Sequence, residues 1–139
     1  MHKARARRLG ERLLSLTAPD RQSDCLATWL LTGPPASRLD ENPGLDGWDI
    51  LVLSPGDEPV VWMAADEVLY VTRYVDAAIE LCVTAFPNGS TAIVQRAVLA
   101  LAKGGVEALP GTDVAGAIAR RITAETLYAL AQAPAEQAA

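Results

Sequence analysis

The sequence predicts an α+β fold: an N-terminal helix, a small three-stranded antiparallel sheet, and three further helices packed on that sheet. Three observations carry the expectation. Leu9, Leu13 and Leu16 recur at helical spacing in the first segment. Two apolar, β-rich runs flank a Pro55-Gly56-Asp57 turn in the middle of the chain. Beyond residue 66 the apolar period becomes helical and stays so to the C-terminal region.

The first helix is expected over residues 3–16, ending at Thr17-Ala18-Pro19-Asp20 because proline cannot continue it. Cys25-Leu26-Ala27-Thr28-Trp29-Leu30-Leu31 shows no single helical face and reads as a strand, closed by Gly33-Pro34-Pro35. Residues 33–47 read as a long loop, rich in proline and glycine. Residues 48–53 and 59–63 form the expected hairpin. Residues 67–86 then read as one central helix, capped by Asp66 and stopped by Pro87-Asn88-Gly89. Val68, Val71, Thr72, Val75, Ile79, Cys82, Val83 and Phe86 make its main arc. Its β-branched residues leave a second division open, a strand followed by a shorter helix. A further helix starts at Ser90 or Thr91 and closes at Gly104-Gly105, with Ile93, Val94, Ala97, Val98 and Leu101 on one face. The last helix is capped by Thr112 or Asp113 and turns Val114, Ile118 and Ile122 inward. One domain is expected over residues 1–132, with 133–139 a frayed tail.

At 139 residues and half apolar composition the chain fits one globular domain. No apolar run approaches the roughly 20 residues needed to span a bilayer, and no signal peptide is read. Two cysteines are too few for a disulfide framework, so the expected location is cytoplasmic. Charge is divided unevenly: residues 1–12 carry a net +4 and the remainder a net −9. Ten carboxylates and a single basic residue, Arg73, lie between Asp40 and Glu80. Such an acidic body opposes broad contact with nucleic acid, whose phosphates need neutralising Lys or Arg.

Histidine occurs once, as His2, which removes most acid–base and metal constellations. Cys25 lacks a base to form thiolate, and Cys82, on the apolar arc of its helix, reads as a small core residue. Asp40, Asn42 and Asp46 offer oxygen ligands, but Leu45 stands where a calcium loop needs glycine and Leu51 where it needs glutamate. Arg38, Asp40, Glu41 and Asp46 remain candidates of that loop, with no metal, no cofactor and no catalytic residue expected. The order of elements is similar to the core of PD-(D/E)xK nucleases, with Asp49 on the second strand. The third strand, Val60-Val61-Trp62-Met63-Ala64, has neither carboxylate nor lysine, so the chain is not assigned there. The basic arm reads as the solvated face of the first helix, and removing residues 1–8 is expected to cost little stability.

The most informative feature is the central helix. Besides its main arc it carries Tyr70, Tyr74, Ala77, Ala78 and Leu81 on a second flank, leaving a narrow polar strip. A helix apolar over most of its circumference is buried on two sides or shared with a partner. Tyr70, Tyr74 and Leu81 are therefore the interface candidates. The expected function is a non-catalytic protein-interaction module (adaptor, chaperone-like or regulatory), dimeric through this helix. The alternatives are a hydrolase or degenerate nuclease-like enzyme using Asp46, Asp49 and the acidic loop, and a nucleic-acid accessory protein touching phosphate through the arm. Arginines 5, 7, 8, 12, 120 and 121 gathered on one face would favour the last.

Overall fold

A computed structural model describes residues 2–33, 38–40, 50–53, 59–63, 67–104 and 113–133, with side chains at 3–33, 67–104 and 113–133. In chain order the elements are α1 (His2–Ser15), α2 (Arg21–Thr32), the short strands β1 (Arg38–Asp40), β2 (Ile50–Leu53) and β3 (Pro59–Met63), then α3 (Val75–Ala85), α4 (Ser90–Gly104) and α5 (Val114–Gln132). Wherever side chains are described the protein is all-helical, five helices without a strand. This corrects the α+β expectation: the helices pack on one another and not on a three-stranded sheet. The three strand segments pair antiparallel in the order β1-β2-β3, with Leu39 opposite Val52 and Val52 opposite Val60.

Helix α5 is the centre of the bundle. Its most extensive neighbour is α1, and α3 and α4 pack on it as well. Ala6, Leu9 and Leu13 of α1 are buried, as are Ala119, Ile122, Leu127 and Leu130 of α5. Small residues let the two helices approach closely: a Cβ at Gly10 would meet Tyr128 Cε1 at 2.7 Å. Asp113 caps α5, its carboxylate accepting from the Gly116 amide at 3.0 Å. Ala6 is buried and Arg5 lies 5.1 Å from the Trp29 ring centroid, so the basic arm packs on the body.

The segment expected as a strand, Cys25–Leu31, is the interior of α2. Its lack of one apolar face has a physical cause. Seven of the twelve α2 residues are buried, from Ser23 through Leu30, so burial covers most of its circumference. Its β-branched residues sit comfortably because their hydroxyls bond inside the helix: Thr28 Oγ1 donates to Asp24 O at 2.8 Å and Thr32 Oγ1 to Thr28 O at 2.7 Å. A helix, three strands and a helix still follow one another, as α2, β1, β2, β3 and α3, and β3 carries neither carboxylate nor lysine.

The expected central helix is also shorter than its apolar pattern. Only Val75–Ala85 is helical, and residues 67–74 form an irregular strap of turns. The buried side of α3 is Ala78, Leu81 and Cys82, while Ile79 and Val83 of the expected arc are exposed. Of the expected arc Val68, Val71, Thr72 and Cys82 are buried; Ile79 and Val83 depart from it because residues 67–74 do not carry the helical phase. Val98 and Val114, expected inward, are exposed as well. Among the described residues, no helix is long and apolar enough to cross a membrane.

Candidate functional site

The strap 67–74 runs between the bundle interior and its surface. Val68, Val71 and Thr72 are buried, whereas Tyr70, Arg73 and Tyr74 face outward. Irregular buried backbone must find its hydrogen-bond partners outside a helix or sheet ladder. Here side chains supply them.

Arg21, at the start of α2, donates to Val68 O at 2.7 Å and Leu69 O at 3.3 Å. Thr123 Oγ1 of α5 donates to Val71 O at 3.1 Å. Arg120 Nη1 donates to Thr72 O at 3.0 Å and lies 3.6 Å from the Asp113 carboxylate. Thr72 is the hub. Its amide and its hydroxyl each donate to Asp24 Oδ1 at 2.8 Å, and its hydroxyl accepts from the Asp20 amide at 2.9 Å. Asp20 in turn caps α2, accepting from the amide and hydroxyl of Ser23.

Asp24 and Arg120 are each 1% exposed. Burial pushes the Asp24 carboxyl above its ordinary range, while the Thr72 hydroxyl and amide and the Arg21 guanidinium at 3.2 Å pull it back. Among the described residues, Arg120 Nη2 is a buried donor without a hydrogen-bond partner.

The outer side of the strap carries the sequence-predicted aromatic pair. Tyr70 is 44% and Tyr74 49% exposed, with ring centroids 6.2 Å apart at 74°, an edge-to-face contact. The Arg21 guanidinium lies 3.9 Å from the Tyr70 centroid and that of Arg73 5.4 Å from Tyr74. One side chain, Arg21, thus holds two strap carbonyls, the buried carboxylate and the exposed ring. Beside the tyrosines opens a groove of about 410 Å³, bordered by the carboxylates of Glu67, Asp76 and Glu80 and floored by Val68, Leu69 and Ala77. Ile79 and Val83 lie exposed one turn apart on α3.

The third interface candidate, Leu81, is 2% exposed and belongs to the core. Sequence reasoning placed it with the tyrosines because it treated 67–86 as one helix. Of the loop candidates, Arg38 and Asp40 end strand β1, while Glu41 and Asp46, with Asn42 and Asp49, lie outside the described residues. Cys25 and Cys82 are both free and buried, and burial pushes each thiol above its usual range, away from thiolate chemistry. Among the described residues no group of three metal-binding side chains comes together. The six arginines do not form one basic face, since Arg120 is buried and Arg121 lies 3.6 Å from Glu125.

Thr72 is buried as its place on the expected arc implies, but its polar role, and Asp24 and Arg120 as its partners, were not legible in the sequence. The available signal was a carboxylate and an arginine inside otherwise apolar helices, Asp24 beside Cys25-Leu26-Ala27 and Arg120 after Ala117-Ile118-Ala119. No family model matches the chain, and no curated protein or solved structure matches it.

Proposed function

We propose that the protein is a non-catalytic interaction module, and that the rim of Tyr70 and Tyr74 beside the acidic groove is its docking surface. The observation that carries this reading is an exposed aromatic pair on backbone that the interior holds in place. Tyrosines supply large apolar area with a polar tip at low entropic cost, and residues of this type dominate many protein interfaces. Rigid presentation lowers the ordering cost that binding has to meet. The flanking carboxylates favour a partner bearing lysine or arginine. A dimer through this region is the simplest assembly, because homodimers are the commonest oligomers.

The test is Tyr70→Ala/Tyr74→Ala, followed by sedimentation and circular dichroism. The expected result is a folded chain that no longer self-associates or no longer retains its partner. Association unchanged in the folded double variant would overturn the reading, since it would place the contact elsewhere. The enzyme and nucleic-acid alternatives have no specific observation in their favour.

A further inference from the structure

We infer that the occupant of the tyrosine rim is the basic face of α1 on a second copy of this chain. The inference rests on the rim being a docking surface, and adds what docks there. It starts from a second groove, of about 190 Å³, between α1 and α2. Arg5, Arg8 and Arg12 border it and Leu9, Leu26 and Leu30 line it. The groove linings are complementary in charge, three arginines on one and three carboxylates on the other, with Arg73 beside Tyr74 the like-charged residue that the contact has to avoid.

They are complementary in spacing too. Arg8 and Arg12 are four residues apart on α1, and Asp76 and Glu80 are four apart on α3. Each pair therefore spans about one helical turn, about 6 Å of rise, so two helices lying side by side and antiparallel bring Arg8 opposite Glu80 and Arg12 opposite Asp76. The apolar parts correspond as well, a leucine-lined furrow on one surface and two projecting aromatic rings on the other. On the basic surface Arg12 already pairs with Asp20 at 3.3 Å and Arg5 stacks on Trp29, so docking exchanges Asp20 for a rim carboxylate at Arg12. Residues 1–12 carry net +4 in a chain that is otherwise net −9, so the acidic rim meets its opposite charge on its own fold.

Because the contact joins two different surfaces, a two-fold dimer that faces both toward the partner makes it twice, and a head-to-tail chain makes it once per junction. Exposed ion pairs are individually weak and are screened by salt. The tyrosines therefore supply contact area, and the charges decide which surface they meet.

The experiment is sedimentation of the full chain, of Arg8→Glu, of Glu80→Arg, and of the two variants mixed in equal amounts. Both positions are exposed, and circular dichroism checks that each variant folds. The expected result is self-association that weakens with added salt and falls about tenfold or more in each single variant. The mixture should recover a 1:1 pair, because one chain's intact rim meets the other's intact α1 and the two reversed residues also match. An associating mixture no stronger than its separate components overturns the inference. Self-association lost in Tyr70→Ala/Tyr74→Ala but unaffected by either charge reversal also overturns it, and leaves the docking reading standing. If the chain is monomeric, a labelled oligo-arginine peptide separates the two ideas. Binding that requires the tyrosines keeps the docking surface and rejects the second copy as its occupant; no binding rejects both.

Discussion

The α1–α5 seam and the strap at 67–74 solve the same problem, burial of backbone, in opposite ways. At the seam every buried amide and carbonyl is satisfied inside its own helix, so the side chains only have to fit. Leu9 and Leu13 pack against α5, and Gly10 admits the Tyr128 ring. The strap has no such ladder. Its carbonyls and the Thr72 amide are satisfied by Arg21, Asp24, Arg120 and Thr123, which belong to two different helices. Volume governs stability at the seam, and partnership governs it at the strap. A segment tied by directed bonds from several sides can place exposed rings at fixed positions without being helical itself.

Arg120 gives the largest test of this contrast. Arg120→Ala removes the donor to Thr72 O, leaves the Asp113 carboxylate without its guanidinium and opens a void in the interior. Asp113 is 39% exposed and hydrates on losing its partner, so the cost is the unsatisfied Thr72 carbonyl and the void, about 2–4 kcal/mol. Urea unfolding should show that loss, whereas Leu13→Met at the seam, which keeps apolar volume, should cost less than about 1.5 kcal/mol. If Arg120→Met proves as stable as the parent chain, apolar packing holds the strap and the contrast fails.

The sequence is readable in proportion to how local its reasons are. Leu9 and Leu13 announce α1, Ser90 marks the start of α4, and Asp113 caps α5 as its position before an apolar run suggests. Each depends on neighbours within a turn or two. The strap depends on residues about 48 positions away, Asp24 and Arg120 on either side of Thr72, and no local period encodes that. Its apolar residues therefore read as more helix. Burial on nearly all sides likewise removed the one-faced pattern by which α2 would have been recognised. Of the candidate site, Tyr70 and Tyr74 were legible as aromatic residues on an over-apolar segment. Leu81 was misplaced by the same false continuity.

Asp24→Asn is the next test, with an effect of about 1–3 kcal/mol at neutral pH, because the amide cannot serve both Thr72 and Arg21 as the carboxylate does. Its pH dependence is the sharper measurement. Burial raises the Asp24 pKa in the folded chain above the ordinary value of 3.8, so the folded state holds the proton more tightly than the unfolded one. The stability linked to that proton is fully present below 3.8 and is lost as pH rises through the folded value. Asparagine does not titrate, and every other group is common to both chains. The parent's advantage over Asp24→Asn should therefore grow as pH falls from neutrality toward 3.8. An advantage that shrinks on acidification would mean that the Arg21 pair and the Thr72 bonds outweigh desolvation.

The smallest effect on stability is expected where the strap turns outward. Tyr70→Ala/Tyr74→Ala removes two rings that are about half exposed and that meet each other edge to face. The chief loss inside the monomer is the stacking of Arg21 on Tyr70, about 0.5–1 kcal/mol at an exposed site. Arg21 keeps its bonds to Val68 O and Asp24, so the strap should stay tied. Urea unfolding of the double variant, at a concentration where the parent chain is monomeric, should show a loss of about 1 kcal/mol or less. A loss of several kcal/mol would make the tyrosines structural, and the division between a strap interior built for stability and a strap exterior kept for a partner would not hold.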